Sequence, residues 1–161
     1  MNDHSFTYVS YIGTTPENLW QALLDPTFTS QYWGVTFEAN WRAGAPMIWN
    51  EHGVRTTDPD QVVLEFQPCR RLSYSWHTFT PQWARTIGIS ESELQAILSE
   101  PRSKVMFDIE PLHQSVKLLV PHSGFEKGSR VLEMIQQGWP LLLSRLKTLL
   151  ETGYPLPMPY H

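Results

Sequence analysis

The chain of 161 residues has a single cysteine, only twelve Lys and Arg together, and no long apolar run. One cysteine, Cys69, excludes an internal disulfide and fits a reducing compartment. Sixteen acidic residues against twelve basic ones leave a net charge of −4, and only Arg70 and Arg71 are adjacent cations. Phosphate backbones require clustered Lys and Arg, so no nucleic-acid partner is expected. No segment approaches the ~20 apolar residues that cross a bilayer, and the first residues lack the apolar centre of a secretory signal. A cytoplasmic location without a membrane span is therefore expected. The six histidines never fall at H-x-x-x-H spacing and the lone cysteine lacks a partner, so no metal is expected. There is no G-x-S-x-G elbow, no G-x-G-x-x-G and no Walker loop, so neither a nucleotide cofactor nor a recognisable nucleophile is expected.

Large flat side chains are abundant: aromatics make up 12% and seven are Trp. The most informative stretch is Ser129 to Gly153, which carries a start signal, an apolar stripe and a stop signal. Leu142, Leu146, Leu149 and Leu150 recur at helical spacing, as do Val131, Met134 and Ile135. Pro140 inside this helix predicts a kink near Gln136 and Gln137, eased by Gly138. A helix with this much apolar surface needs a concave partner.

The upstream pattern supplies one. Phe6 to Ile12 reads as a first strand. Thr15-Pro16 and Asp25-Pro26 each start a short helix, the second reaching Tyr32. Strands follow at Val35 to Trp41, Pro46 to Trp49, Gln61 to Phe66, Leu72 to Phe79, Lys104 to Ile109 and Ser115 to Val120. Between about 80 and 102 the pattern changes to a helical insert, with Ser90 and Glu93 as a capping box for a helix over Ser90 to Ser99. The reading is α+β: a curved antiparallel sheet of about six to seven strands wrapped around a long C-terminal helix, two short helices following strand one. One domain covers 1–153, and 154–161 form a proline-rich tail.

This order resembles the helix-grip fold of the START-related, birch-pollen-allergen-like superfamily. Within it the chain resembles the branch named after the activator of the heat-shock-protein-90 ATPase. The resemblance is carried by Pro16 to Trp20, Asp25-Pro26, Tyr32-Trp33-Gly34, Pro68 to Trp76, Val105 to Phe107, Leu118 to Phe125, and Gly138-Trp139-Pro140 through Gly153. It implies a hydrophobic cavity between sheet and long helix, and a link to stress response.

Strand alternation points Tyr74 and Trp76, Phe107, and Leu118, Val120 and His122 toward the helix, which offers Trp139, Leu142 and Leu146; Trp49 adds to the wall. Singly each reads as core. As a set they read as the lining of a pocket for an apolar small molecule, lipid-like or aromatic. His122 could orient a polar head group or move a proton, or it could be a strand-end histidine bonded to backbone. His52 and His77 are expected on turns or the outer phase. The leading expectation is a small-molecule binding module, monomeric or homodimeric, against which a cavity filled by side chains would count. The second is a protein-interaction module that modulates a chaperone. The third is a cavity enzyme of cyclase or hydratase type, using His122 or Tyr74.

Overall fold

The computed structural model describes residues 4–159, so the ends of the expected domain and tail, 1–3 and 160–161, lie outside the described residues. The chain runs β1 (His4–Ile12), α1 (Pro16–Leu24), α2 (Pro26–Tyr32), β2 (Val35–Ala39), β3 (Met47–Glu51), β4 (Val54–Thr56), β5 (Val63–Gln67), β6 (Arg71–Ser75), α3 (Pro81–Ile87), α4 (Glu91–Leu98), β7 (Lys104–Leu112), β8 (Ser115–Phe125) and α5 (Arg130–Thr152).

Each of these helices begins on a side-chain cap that satisfies a free first-turn amide. Thr15 accepts from Asn18 N–H at 3.1 Å, Asp25 from Thr27 at 2.9 Å, Thr80 from Trp83 at 3.1 Å, Ser90 from Glu93 at 3.2 Å and Ser129 from Leu132 at 3.0 Å. The expected capping box is one-armed: the Glu93 carboxylate lies 3.4 Å from the Ser90 hydroxyl, which donates to it, instead of reaching the Ser90 amide. Two elements escaped the sequence reading. Helix α3 carries the same Thr-Pro start as α1, but it follows so closely on β6 that the sequence pattern reads as strand through Phe79, where the strand ends at Ser75. Strand β4 is three residues long and closes on β3 through His52-Gly53, whose φ of 49° and 83° make the two-residue turn that matches strand twist.

The strands form a five-stranded sheet in the order β1-β8-β7-β6-β5 and a three-stranded sheet in the order β2-β3-β4. A bridge between Pro46 and Val62 and a bond from Met47 N–H to the Gln61 carbonyl at 2.7 Å couple the two. Every ladder is antiparallel. Along β8 burial alternates from Val116 to His122, as a strand with one core face must. Registers Leu72 with Phe107, Val105 with His122 and Ile109 with Leu118 place the apolar phases side by side. Helix α5 lays Val131, Ile135, Trp139, Leu143, Leu146 and Leu149 on this face. It continues through Pro140, and Ser144 and Thr148 return their hydroxyls to carbonyls one turn earlier. This is the helix-grip arrangement, in eight strands.

Both ends of α5 are tied down. At its C-terminal end Glu151 accepts from Gly13 N–H at 2.7 Å, and Lys147 donates to the Tyr11 carbonyl at 2.8 Å. At its N-terminal end Glu100, from the segment after α4, accepts from Arg130 N–H at 3.0 Å and from the Ser129 hydroxyl. A carboxylate at this end also meets the positive pole of the helix dipole. Glu100→Ala is expected to lower stability by about 1 kcal/mol, seen as a reduced urea midpoint with an unchanged slope. An unchanged midpoint contradicts the clamp.

Candidate functional site

Seven of the ten sequence-selected residues, Trp49, Tyr74, Phe107, Leu118, Val120, His122 and Leu146, are 2% exposed or less. The space expected to be an open cavity is occupied by these side chains packing on one another. Trp49 meets Tyr74 with ring centroids 5.7 Å apart, and Tyr74 meets Phe107 at 5.9 Å. Such edge and tilted contacts are the favoured geometries for aromatic pairs. The other three, Trp76, Trp139 and Leu142, lie where the packing opens.

That opening is a pocket of about 130 Å³ between α5 and the end of β6, lined by Trp33, Trp76, Met134, Ile135, Gly138, Trp139 and Leu142. Leu142 is half-buried and forms part of its wall; the buried stripe of α5 passes instead through Leu143, 1% exposed. Trp33 is the C-cap of α2 and stands in the Tyr32-Trp33-Gly34 motif, which does not by itself mark a pocket residue. It is central here, with centroids 5.8 Å from Trp49, 6.1 Å from Trp76 and 5.7 Å from Trp139. The signal for it was its position at the elbow after two short helices, where a large side chain must turn back onto the sheet. A neighbouring pocket of about 90 Å³ lies under the insert and is lined by Trp76, His77, Arg102, Ser103, Ile97 and Val131 among others.

Polar atoms are embedded in this aromatic mass. Trp49 Nε1, Tyr74 Oη and His122 Nδ1 are buried without a hydrogen-bond partner among the described residues. Burial, with Tyr32 nearby, pushes the Tyr74 phenol well above its ordinary range. Burial pushes His122 down to about 3, so its imidazole is neutral at pH 7. His122 Nε2 and Ser103 Oγ share a hydrogen bond of 2.9 Å. This is the contact between a nucleophile and a base, but no third group orients Nδ1, and an imidazole that resists protonation is a weak base.

His77, expected on a turn or the outer phase, is 5% exposed. It is enclosed by Trp49, Trp76, Phe79 and Trp83. The reason is the insert: α3 brings Trp83 over the end of β6. His77 Nδ1 lies 2.9 Å from the Thr78 carbonyl and Nε2 lies 3.6 Å from Glu51. Burial lowers its proton affinity against the opposing pull of Glu51. Arg102 closes the same end, donating to the Trp76 carbonyl at 2.7 Å and to the Thr78 hydroxyl at 2.9 Å. Away from the pocket, Arg55 pairs at the surface with Glu38 at 3.4 Å, and Glu65 lies 3.8 Å from Arg71. Among the described residues no group of three or more His, Cys, Asp or Glu could hold a metal ion. Nor, among the described residues, is any helix long and apolar enough to cross a membrane.

A profile of the family described as Activator of Hsp90 ATPase homolog 1-like protein matches residues 13–151. Solved structures share the fold. A protein from Mesorhizobium loti is 22% identical with a TM-score of 0.71, over 91% of this chain and 96% of that one. The Aha1 dimer from Colwellia psychrerythraea is 17% identical with a TM-score of 0.66, over 93% and 98%. CalU16 from Micromonospora echinospora is 15% identical with a TM-score of 0.65, over 94% and 78%. A search of curated proteins finds no match.

Two outcomes follow from the buried polar atoms. Tyr74→Phe removes a hydroxyl that has no partner and is expected to raise stability by about 1 kcal/mol in urea denaturation; a loss of that size would reveal a partner. The second concerns pH. Between pH 6.5 and about 3 the unfolded state protonates His122 while the folded state does not, so stability is full above this window and falls as pH drops through it. The slope is at most about 1.4 kcal/mol per pH unit. His77 adds the same sign. The carboxyls held low, of which Asp58 is lowered chiefly by its bond from Thr78, act at lower pH. Urea midpoints compared at pH 7 and pH 5 should fall less for His122→Gln than for the parent, and equal falls would contradict the assignment.

Proposed function

The chain belongs to the Activator of Hsp90 ATPase homolog 1-like family, and from this premise we propose that it binds a small apolar molecule at the seam between its sheet and its long helix. The observation that carries this reading is the pocket walled by the indoles of Trp33, Trp76 and Trp139. Its lining side chains are apolar, which suits an uncharged ligand. Its volume of about 130 Å³ sets the scale: an engineered apolar cavity of about 150 Å³ takes up benzene. A large ligand enclosed by the whole sheet does not fit this packing, because Tyr74, Phe107 and Leu146 already fill that space.

A second reading comes from the family itself: a module that contacts a chaperone and alters its ATPase. Its support is the match over 13–151. Catalysis by His122 or Tyr74 is disfavoured, since burial makes the imidazole a weak base and the phenol a weak acid, and neither His122 Nδ1 nor Tyr74 Oη has a partner to orient it among the described residues.

Calorimetric titration with toluene and with decanoate tests binding. Leu142 is half-buried at the pocket wall, so Leu142→Asp places a charge there and spares the deep core. It is expected to weaken uptake of either probe by about tenfold or more, because an unpaired carboxylate facing apolar walls must be desolvated. No heat and no thermal shift with either probe on the parent protein would overturn the binding reading. A change in chaperone ATPase turnover on adding the protein would then favour the second.

A further inference from the structure

One wall of the pocket is formed by a residue that the helix itself does not ask for. Gly138 lies inside α5, where glycine costs conformational entropy relative to alanine. Its backbone is not among those with positive φ, so a side chain would bring no strain. A Cβ built on it would meet nothing within 4 Å beyond its own helix backbone and chain neighbours, so an alanine would bring no clash. Neither turn geometry nor close packing explains the glycine. Gly138 is exposed, and it leaves the backbone bare at the open edge of a pocket to which Trp33 and Trp76 come from outside α5.

We propose that Gly138 sets the size and class of the ligand: its missing side chain makes room for one uncharged aromatic ring against the backbone of α5. This rests on the binding reading above. An aromatic ring is favoured over an acyl chain for two reasons. The space is about 130 Å³ and the sheet interior beneath it is filled, so a long acyl chain has no tunnel to enter. The walls offer indole faces and edges, which attract another ring beyond the area it buries. The lining carries no charged side chain to meet a carboxylate head group.

The competing role for Gly138 is to ease the helix two residues before Pro140, and the two roles predict opposite signs. If the glycine serves the pocket, Gly138→Ala raises the melting temperature by ~2–4 °C, as a helix-interior alanine should in a domain of this size. The same variant weakens toluene binding by about tenfold, the cost of crowding a fitted site. Gly138→Leu, which plugs the wall, abolishes it. The parent protein takes toluene at least about tenfold more tightly than decanoate. Differential scanning calorimetry and titration calorimetry give all four values. A lower melting temperature for Gly138→Ala with toluene affinity unchanged assigns the glycine to the helix and overturns the inference. So does decanoate binding more tightly than toluene, or full toluene affinity in Gly138→Leu. If the parent binds neither probe, the pocket reading fails and the inference with it; if the parent binds toluene and the variants bind it equally well, the inference alone fails.

Discussion

Trp139 is the constraint on which the arrangement depends. Its ring lies within 6.3 Å, centroid to centroid, of Trp33 after α2, Trp76 after β6, Phe107 on β7 and His122 on β8. One side chain of the long helix thus measures its distance to four separate parts of the chain. Large aromatic side chains have few torsions, so such a contact is rigid once made. The helix cannot slide along the sheet without breaking several ring contacts at once, and a buried aromatic of this kind is worth about 3–5 kcal/mol against alanine.

Much of this was legible in sequence because it is local or periodic. The limits of α5 were written in Ser129 and Gly153, and those of α1 and α2 in Thr15-Pro16 and Asp25-Pro26, since caps act over three or four residues. The inward phases of β7 and β8 were legible because one buried face forces alternation. What was not legible depends on distance in space. Alternation identifies that Tyr74 and Phe107 point inward, but not that their rings meet and close the volume between them. Likewise nothing around His77 announces that Trp83, from an inserted helix, will cover it. That Leu143 and not Leu142 carries the buried stripe, while Leu142 lines the pocket, is hidden for a related reason: a period of 3.6 residues allows either as the step after Trp139, and only the facing surface decides.

The insert has a role that its sequence pattern concealed. Its helices cover His77 with Trp83, and Glu100 then caps α5. It therefore joins the end of β6 to the start of the long helix, the two elements between which the apolar pocket opens. A segment that reads as an interruption between strands is part of the frame around the site.

The two halves of α5 differ in what they do. From Leu143 to Leu149 the buried stripe is leucine alone, and three side chains beside it, Arg145, Lys147 and Glu151, fix backbone groups at Tyr32, Tyr11 and Gly13. That half is an anchor. From Val131 to Trp139 the helix borders both pockets and is held at its tip by Glu100. Pro140, which cannot donate to the carbonyl one turn before it, marks the junction. The helix runs on through this missing bond because the leucine stripe and the three backbone ties hold the turns that follow it.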